Sequence, residues 1–390
     1  MLPAVNPSVS RNERAEPFQF AGVGAATDLS VVAETLFPEC FHPIRNATVY
    51  TNIAELTREF GRHHLDDIYT ERTCSVAPIT LARLPAGAVL FGGDEFLVGS
   101  GGCLLQEQIA PYLRDNHDLI REITSTWRPT MRVSEESLLV ARFGIYTWGH
   151  WLGELLPKIV LAEACFPGRF RYLLPTTVLT DPDPGLPTVR IRETLHAYGI
   201  GRERVLPLYP ATDYQFDRLH TLGPIWSDHI MHPSIASLMR KRLVPAANPS
   251  REAAPSRRIC LIRNGPGRAI TNLAEVHELL GAHGFEFHTL STMAFTAQID
   301  LFQTASVVFA VLGSDLSDLI YAPDGIKVIS AAPAIFGDRF FYALIVSRNG
   351  TYADLRGPVV ELDRRAEHRS SFYLDLSKIR MGLNAMGVGK

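Results

Sequence analysis

The stretch Arg258-Ile-Cys-Leu-Ile-Arg263-Asn-Gly-Pro-Gly-Arg268-Ala-Ile-Thr-Asn272-Leu-Ala-Glu275 decides the reading of the fold. A strand buried on both faces of a parallel sheet shows as a short unbroken apolar run, and residues 259–262 form such a run. Gly265 and Gly267 follow, where a missing Cβ lets the backbone turn tightly and come close to a ligand. Asn272 with Glu275 three residues on has the spacing of a capping box, which predicts a helix over 272–283 closed by Gly284 in the left-handed conformation. Two arginines flank the turn. The planar guanidinium groups of Arg263 and Arg268 can donate parallel hydrogen bonds to phosphate oxygens, or they can be ordinary surface charges at a strand end. The glycine spacing matches neither a dinucleotide fingerprint nor a phosphate-binding lysine loop.

Downstream, the pattern predicts a strand over 285–290, a helix over 296–305, a strand over 307–312, a turn and helix over 313–321 and a strand over 327–330. Strands alternating with helices make an open parallel sheet with helices on both faces, and its ligands sit at the carboxyl ends of the strands. Arg263, Arg268, Gly313, Ser314 and Asp315 all belong to that edge. A helix opening at Ser314 would offer unpaired N–H groups and a positive dipole end to a phosphate. Asp315 and Asp318 are acidic there, suited to a ribose hydroxyl or to capping the helix.

Upstream, residues 244–256 are rich in Pro, Ala and Ser without an apolar period and read as a linker. This divides the chain into an N-terminal α/β domain over 1–247, with residues 1–30 as a mobile arm, and a C-terminal Rossmann-like domain over 257–390. Short helices are expected over 33–65, short strands or hairpins over 74–105, and a buried strand over 138–143. Further strands fall at 172–179, 204–208 and 217–222, with helices at 188–198 and 234–243. Asp228, His229 and His232 fall short of a zinc spacing, and no metal is expected.

The second unusual stretch is Trp148-Gly-His150-Trp-Leu-Gly-Glu154-Leu-Leu-Pro157-Lys158. On a helix, His150, Glu154 and Lys158 recur every four residues and share a face, and Pro157 must kink or restart the helix. A histidine and a carboxylate side by side can deprotonate a hydroxyl, and Trp148 and Trp151 can stack on a sugar ring. The same residues also fit a hydrogen-bonded histidine beside a glutamate paired with Lys158, with no chemistry attached.

Composition narrows the class. At 390 residues, with 46% apolar and 20% charged side chains, the chain has the makeup of a globular protein of two domains. A formal net charge of −3 argues against a nucleic-acid partner. The five scattered cysteines give neither a disulfide framework nor a zinc pattern, and no secretory leader or membrane span is legible. The expected location is therefore the cytoplasm.

Three stretches in this order resemble glycosyltransferase family 61, including its bacterial members of capsular polysaccharide biosynthesis. Residues 148–158 resemble its Asn-aromatic-Gly-His-aromatic-Leu-x-acidic-x-Leu-Pro-Arg signature, with Thr147 where the family has Asn. Arg263 through Arg268 and Asn272 to Glu275 resembles an Arg-x4-Arg-x3-Asn-x2-Glu segment. Residues 313–325 resemble the closing His-Gly-Ala-Gly-Leu-Thr-Asn-Leu-Leu-Phe-Ala-Pro-x-Gly block, with Leu312 for His, Asp315 for Gly and Asp318 for Asn. The resemblance implies a GT-B-like fold, two Rossmann-like domains facing a central cleft. It also implies inverting transfer from a nucleotide sugar, expected to be a UDP-sugar, to a saccharide acceptor of a surface polysaccharide (capsule, exopolysaccharide or lipopolysaccharide), without metal or other cofactor. On this likeness His150 and Glu154 are catalytic, and Trp148, Trp151 and Lys158 are on the acceptor side. Arg263, Arg268, Gly313, Ser314 and Asp315 hold the donor phosphates. Such acceptors imply the cytoplasm or a peripheral place at the inner membrane. Leu312 and Asp315 keep open an alternative, a catalytically silent member that binds nucleotide or polysaccharide and scaffolds an assembly complex.

Overall fold

The structure, a computed structural model, describes residues 9–10, 22–24, 32–44, 46–52, 72–91, 97–100, 103–105, 109, 116–125, 131–142, 144–180, 188–223, 225–227, 230–243, 255–263, 267–336, 338, 340–364 and 366–389. The chain divides into two compact units, Met1–Glu39 with Ala77–Ile225, and Cys40–Val76 with Trp226–Lys390. Both are mixed α/β.

The second unit is built on a six-stranded parallel sheet in the order Phe285–His288, Arg257–Leu261, Ala305–Val311, Lys327–Pro333, Thr351–Gly357, Thr48–Thr51. Strands buried on both faces need apolar residues at nearly every position, and Ala-Ser-Val-Val-Phe-Ala-Val over 305–311 supplies them. Cys260, Phe309, Ile329 and Leu355 pack with Val276 and Leu280 of the helix Leu273–Ala282 and with Ile379 and Leu383 of the helix Leu376–Ala385. In chain order the sheet reverses direction between Arg257–Leu261 and Ala305–Val311. The loops leaving the carboxyl ends of these two neighbours diverge, and the crevice they leave is where open α/β sheets take their ligands. Arg263 leaves one strand and Gly313 the other.

Thr48–Thr51 corrects the expectation of short helices over 33–65. Val32–Phe37, Cys40–Ile44 and Thr48–Thr51 are all strands, and residues 53–65 lie outside the described residues. The β-branched and aromatic run Thr-Val-Tyr-Thr fits the pleated edge left open by Thr351–Gly357. Beside it, Asn52 donates to the carbonyl of Arg356 at 2.8 Å and accepts from its N–H at 2.7 Å. Arg356 and Asp354 form a fully buried ion pair at 2.8 Å, and Ser330 donates to Asp354 at 3.2 Å. Removing one member of such a pair would strand a charge in the core.

The first unit holds a six-stranded sheet in the order Val205–Leu208, Arg171–Pro175, Ser137–Leu139, Leu219–Leu222, Ile79–Arg83, Val32–Phe37, with the first four parallel and the last two antiparallel. A seven-stranded sheet accompanies it, with Val9–Ser10 and Gly22–Gly24 at its two edges. These two pieces of the expected mobile arm are thus paired strands, and the rest of residues 1–30 lies outside the described residues. Of the expected linker over 244–256, residues 244–254 also lie outside them. The expected strand over 172–179 ends at Pro175, and Thr176–Thr180 turns into a helix. No helix among the described residues is long and apolar enough to cross a membrane.

Candidate active site

The helix after Ser137–Leu139 opens with one α-turn, Trp148–His150, widens to a π-turn over Trp151–Leu155, and resumes as an α-helix over Leu156–Cys165. Pro157 explains the widening. Its ring would crowd the carbonyl four residues back and it has no N–H to give, so the chain bonds Leu156 N–H to Trp151 O instead and restarts.

His150 lies at the amino end of this helix, and its Nδ1 is 2.6 Å from Glu154 Oε1. Arg142, at the end of the preceding apolar run, pairs with the other oxygen, Glu154 Oε2. The carboxylate can only accept, so Nδ1 carries the proton and Nε2 keeps a lone pair. Burial, then Arg142 with its Nη2 3.4 Å from Nδ1, holds the imidazolium pKa down to about 4. The imidazole is neutral near pH 7 and 44% exposed, ready to take a proton at Nε2. Gly144 makes room for it. Its φ of +86° is glycine territory, and a Cβ there would sit 3.0 Å from His150 Cδ2.

The tryptophans and Lys158 fall elsewhere than expected. Trp151 is fully buried and donates its indole N–H to Thr194 at 2.8 Å, and Trp148 is 4% exposed with the Arg190 guanidinium 3.9 Å from its ring centroid. Lys158 is also buried. After one π-turn the register advances, so the four-residue spacing that joins His150 to Glu154 does not carry on to Lys158. These three side chains brace the helix from within, and stacking on a saccharide is not open to Trp151.

In the second unit, Arg263 and Arg268 converge on Gly313. A Cβ on Gly313 would lie 2.9 Å from Arg263 Nη1 and 3.2 Å from Arg268 Nη2, so a side chain there would push both guanidinium groups aside. Arg263 Nε donates to Gly267 O at 3.1 Å, and the Arg268 guanidinium lies 4.6 Å over the Phe336 ring. Burial lowers both arginine pKa values, Arg268 to about 10, and Arg263 adds to the effect on Arg268 through like-charge repulsion. Asp315 opposes this at both arginines and Asp338 at Arg268. Two half-buried cations held together at a ligand crevice form a seat for an anion.

Ser314 begins a 3₁₀ helix, Ser314–Tyr321, in place of the expected α-helix, and Leu316 N–H already bonds Gly313 O at 2.9 Å. Asp318 is buried, which removes it from any ribose. Asn264, Gly265 and Pro266 lie outside the described residues. A pocket opens beside the arginines, lined among others by Ile270, Leu273, Val276 and His277.

A model of the Glycosyltransferase 61 family matches residues 148–329. This region is family 61 sequence. It spans both clusters, His150 with Glu154 and Arg263 with Arg268 and Gly313, and family 61 is one of glycosyltransferases, whose substrates are a nucleotide sugar and an acceptor. No curated protein matches the chain. Arg142, Phe336, Asp338 and Arg369 fall outside the matched region, and the sequence reading missed all four. Arg142 had one legible signal, a lone charge closing the apolar run 138–141. Among the described residues no group of three or more His, Cys, Asp or Glu side chains is placed to hold a metal ion.

Proposed function

We propose that the chain is an inverting glycosyltransferase that moves a sugar from a nucleoside diphosphate, taken to be UDP, to a hydroxyl of a saccharide in surface polysaccharide synthesis. The observation that carries the reading is the convergence of Arg263 and Arg268 on Gly313 at the crevice of a parallel sheet. As the acceptor oxygen attacks the anomeric carbon, its proton passes to Nε2 of His150, and Glu154, itself held by Arg142, orients the ring and balances the imidazolium. The bond from the anomeric carbon to the diphosphate breaks on the opposite side, which inverts that centre. Arg263 and Arg268 take the charge that develops on the leaving oxygen. The reading needs no metal or other cofactor. The pocket lined by Ile270, Leu273 and His277 has the apolar walls and nearby cations to seat the nucleoside. A GT-B-like fold belongs to this proposal, with the unit of Met1–Glu39 and Ala77–Ile225 serving the acceptor and that of Cys40–Val76 and Trp226–Lys390 the donor, as does a place in the cytoplasm or at the inner membrane face.

The test is a panel of nucleotide sugars assayed by thermal shift and by release of nucleoside diphosphate, with and without saccharide acceptors. A ligand of the folded state raises the melting temperature by mass action. Stabilisation by one nucleotide class together with slow release of its diphosphate supports the enzyme. Asp315, acting on Arg263 at the anion seat, favours the scaffold alternative, which binds nucleotide without turnover. No stabilisation by any nucleotide would remove the enzyme and leave of the alternative only a scaffold that binds polysaccharide.

A further inference from the structure

The loop that carries the two arginines is strapped to a segment near the end of the chain. Arg268 N–H donates to Arg369 O at 2.6 Å, Phe372 N–H to Ala269 O at 2.9 Å, and Thr271 N–H to Phe372 O at 2.9 Å. The Asn272 side chain closes the ladder. Its Nδ2 donates to Leu374 O at 2.9 Å and its Oδ1 accepts from Leu374 N–H at 3.0 Å. Asn272 therefore sits at the N-cap position of its helix without capping it, because both its polar atoms are used on the strap. The strap comes so close that a Cβ on Gly267 would lie 2.7 Å from Arg369 Cβ. Gly267 and Arg268 have φ of +89° and +54°, a backbone course that an arginine adopts only where its surroundings hold it.

The strap also brings charge. Arg369 and its neighbour His368 are exposed, and the Arg369 cation adds to burial in lowering the pKa of Arg263, Arg268 and His368. His368 lies 6.2 Å, ring to ring, from Phe336, the platform under Arg268. A third cation brought up to two that already repel one another lowers the stability of the empty site. Such a group is useful where a multiply charged anion binds.

Resting on the glycosyltransferase reading above, we propose that Arg369 is a third ligand of the donor diphosphate, delivered by the C-terminal strap. It completes with Arg263 and Arg268 a three-guanidinium seat that reaches beyond the matched region. The ligand chemistry is a diphosphate, whether free or joined to a nucleoside. Arg369 grips the outer phosphate oxygens while the strap fixes the course of Arg268.

The experiment is calorimetric titration of the full chain with inorganic pyrophosphate and with UDP, for the wild type, Arg263→Ala, Arg369→Gln and Arg369→Lys. Arg369→Gln keeps the backbone bond and removes a repelling cation, so the melting temperature of the empty protein is expected to be no lower than that of the wild type. The expected result is roughly tenfold weaker binding of both ligands by Arg369→Gln, with a shallower dependence on salt, and partial recovery in Arg369→Lys. If the wild type and Arg369→Gln bind equally while Arg263→Ala loses binding, the third-ligand role is overturned and the glycosyltransferase reading stands. If the wild type binds neither ligand, both fall. Weaker binding by Arg369→Gln confined to UDP, with pyrophosphate unchanged, would also overturn it, because the side chain would then read the nucleoside and not the diphosphate.

Discussion

The two clusters in the family 61 region solve opposite electrostatic problems. Around His150 the charges cancel, with one guanidinium, one carboxylate and a neutral imidazole in a closed chain of contacts. Around Gly313 cations gather faster than anions, and their pKa values are lowered by burial and by each other. A balanced cluster is complete without substrate and is ready to move a proton. An unbalanced one is strained until an anion arrives. Chemistry and binding should therefore separate cleanly in variants of the two places.

The largest expected effect is at the balanced cluster. His150→Ala is expected to lower kcat by roughly 10² to 10⁴, the usual worth of a positioned base, while the dissociation constant for nucleoside diphosphate stays within error. Loss of binding with unchanged kcat would reverse the assignment of the two clusters. Next comes the unbalanced cluster. Arg263→Ala removes a half-buried, charge-assisted donor, so nucleoside-diphosphate affinity should fall roughly ten- to a hundredfold by calorimetry. Unchanged heats of binding would take the donor away from this crevice.

Acid titration sharpens the contrast further. A base must be unprotonated, and the His150 pKa is lowered from 6.5 to about 4, so its active form is already present at pH 7. The rate is expected to hold level below pH 6.5 and to fall only as pH drops through about 4. Arg142→Gln removes the cation that repels the imidazolium, so the acid limb should move up towards 6.5. Binding of the diphosphate depends on arginines and should stay flat between about pH 7 and 9. His220 offers a control on folding. Burial holds its pKa near 4 in the folded chain, well below its ordinary 6.5, so the unfolded chain binds more protons across that window. Stability then declines as pH falls from 6.5 towards 4, and a melt in parallel with the rate profile distinguishes loss of fold from loss of base.

Four strands of the C-terminal sheet, expected near 259–262, 285–290, 307–312 and 327–330, were legible from local apolar runs and from the turn signals between them, as Gly284 gives with its φ of +75°, whereas Thr351–Gly357, with Asp354 and Arg356 inside it, was not. The His150 and Glu154 pair was legible because four residues bring side chains together on one helix face. What escaped the sequence depends on pairing at long range. Thr48–Thr51 joins the sheet from some three hundred residues away, and the strap at 369–374 is too short to show a period. The capping-box spacing of Asn272 and Glu275 illustrates the limit. The helix starts where the motif places it, yet the asparagine oxygen that would cap it accepts from Leu374 N–H instead, and its amide donates to Leu374 O and, at 3.4 Å, to Glu275. A local pattern names the residue that can cap, and tertiary competition decides whether it does.

The smallest effect asked of the comparison concerns how the cations are tolerated at all. Phe336 presents its ring to Arg268, and Arg356 holds the Phe336 carbonyl from below while pairing with Asp354 in the core. The aromatic face offers Arg268 partial compensation without competing for the anion, which a carboxylate in the same place would do. Phe336→Leu keeps the apolar volume and removes the ring quadrupole, so diphosphate affinity should fall only about two- to fivefold, with kcat unchanged. The direction is informative. If affinity rises, the ring had been satisfying Arg268 in the empty site at the expense of the ligand, and the strain ascribed to this cluster is already relieved before substrate binds.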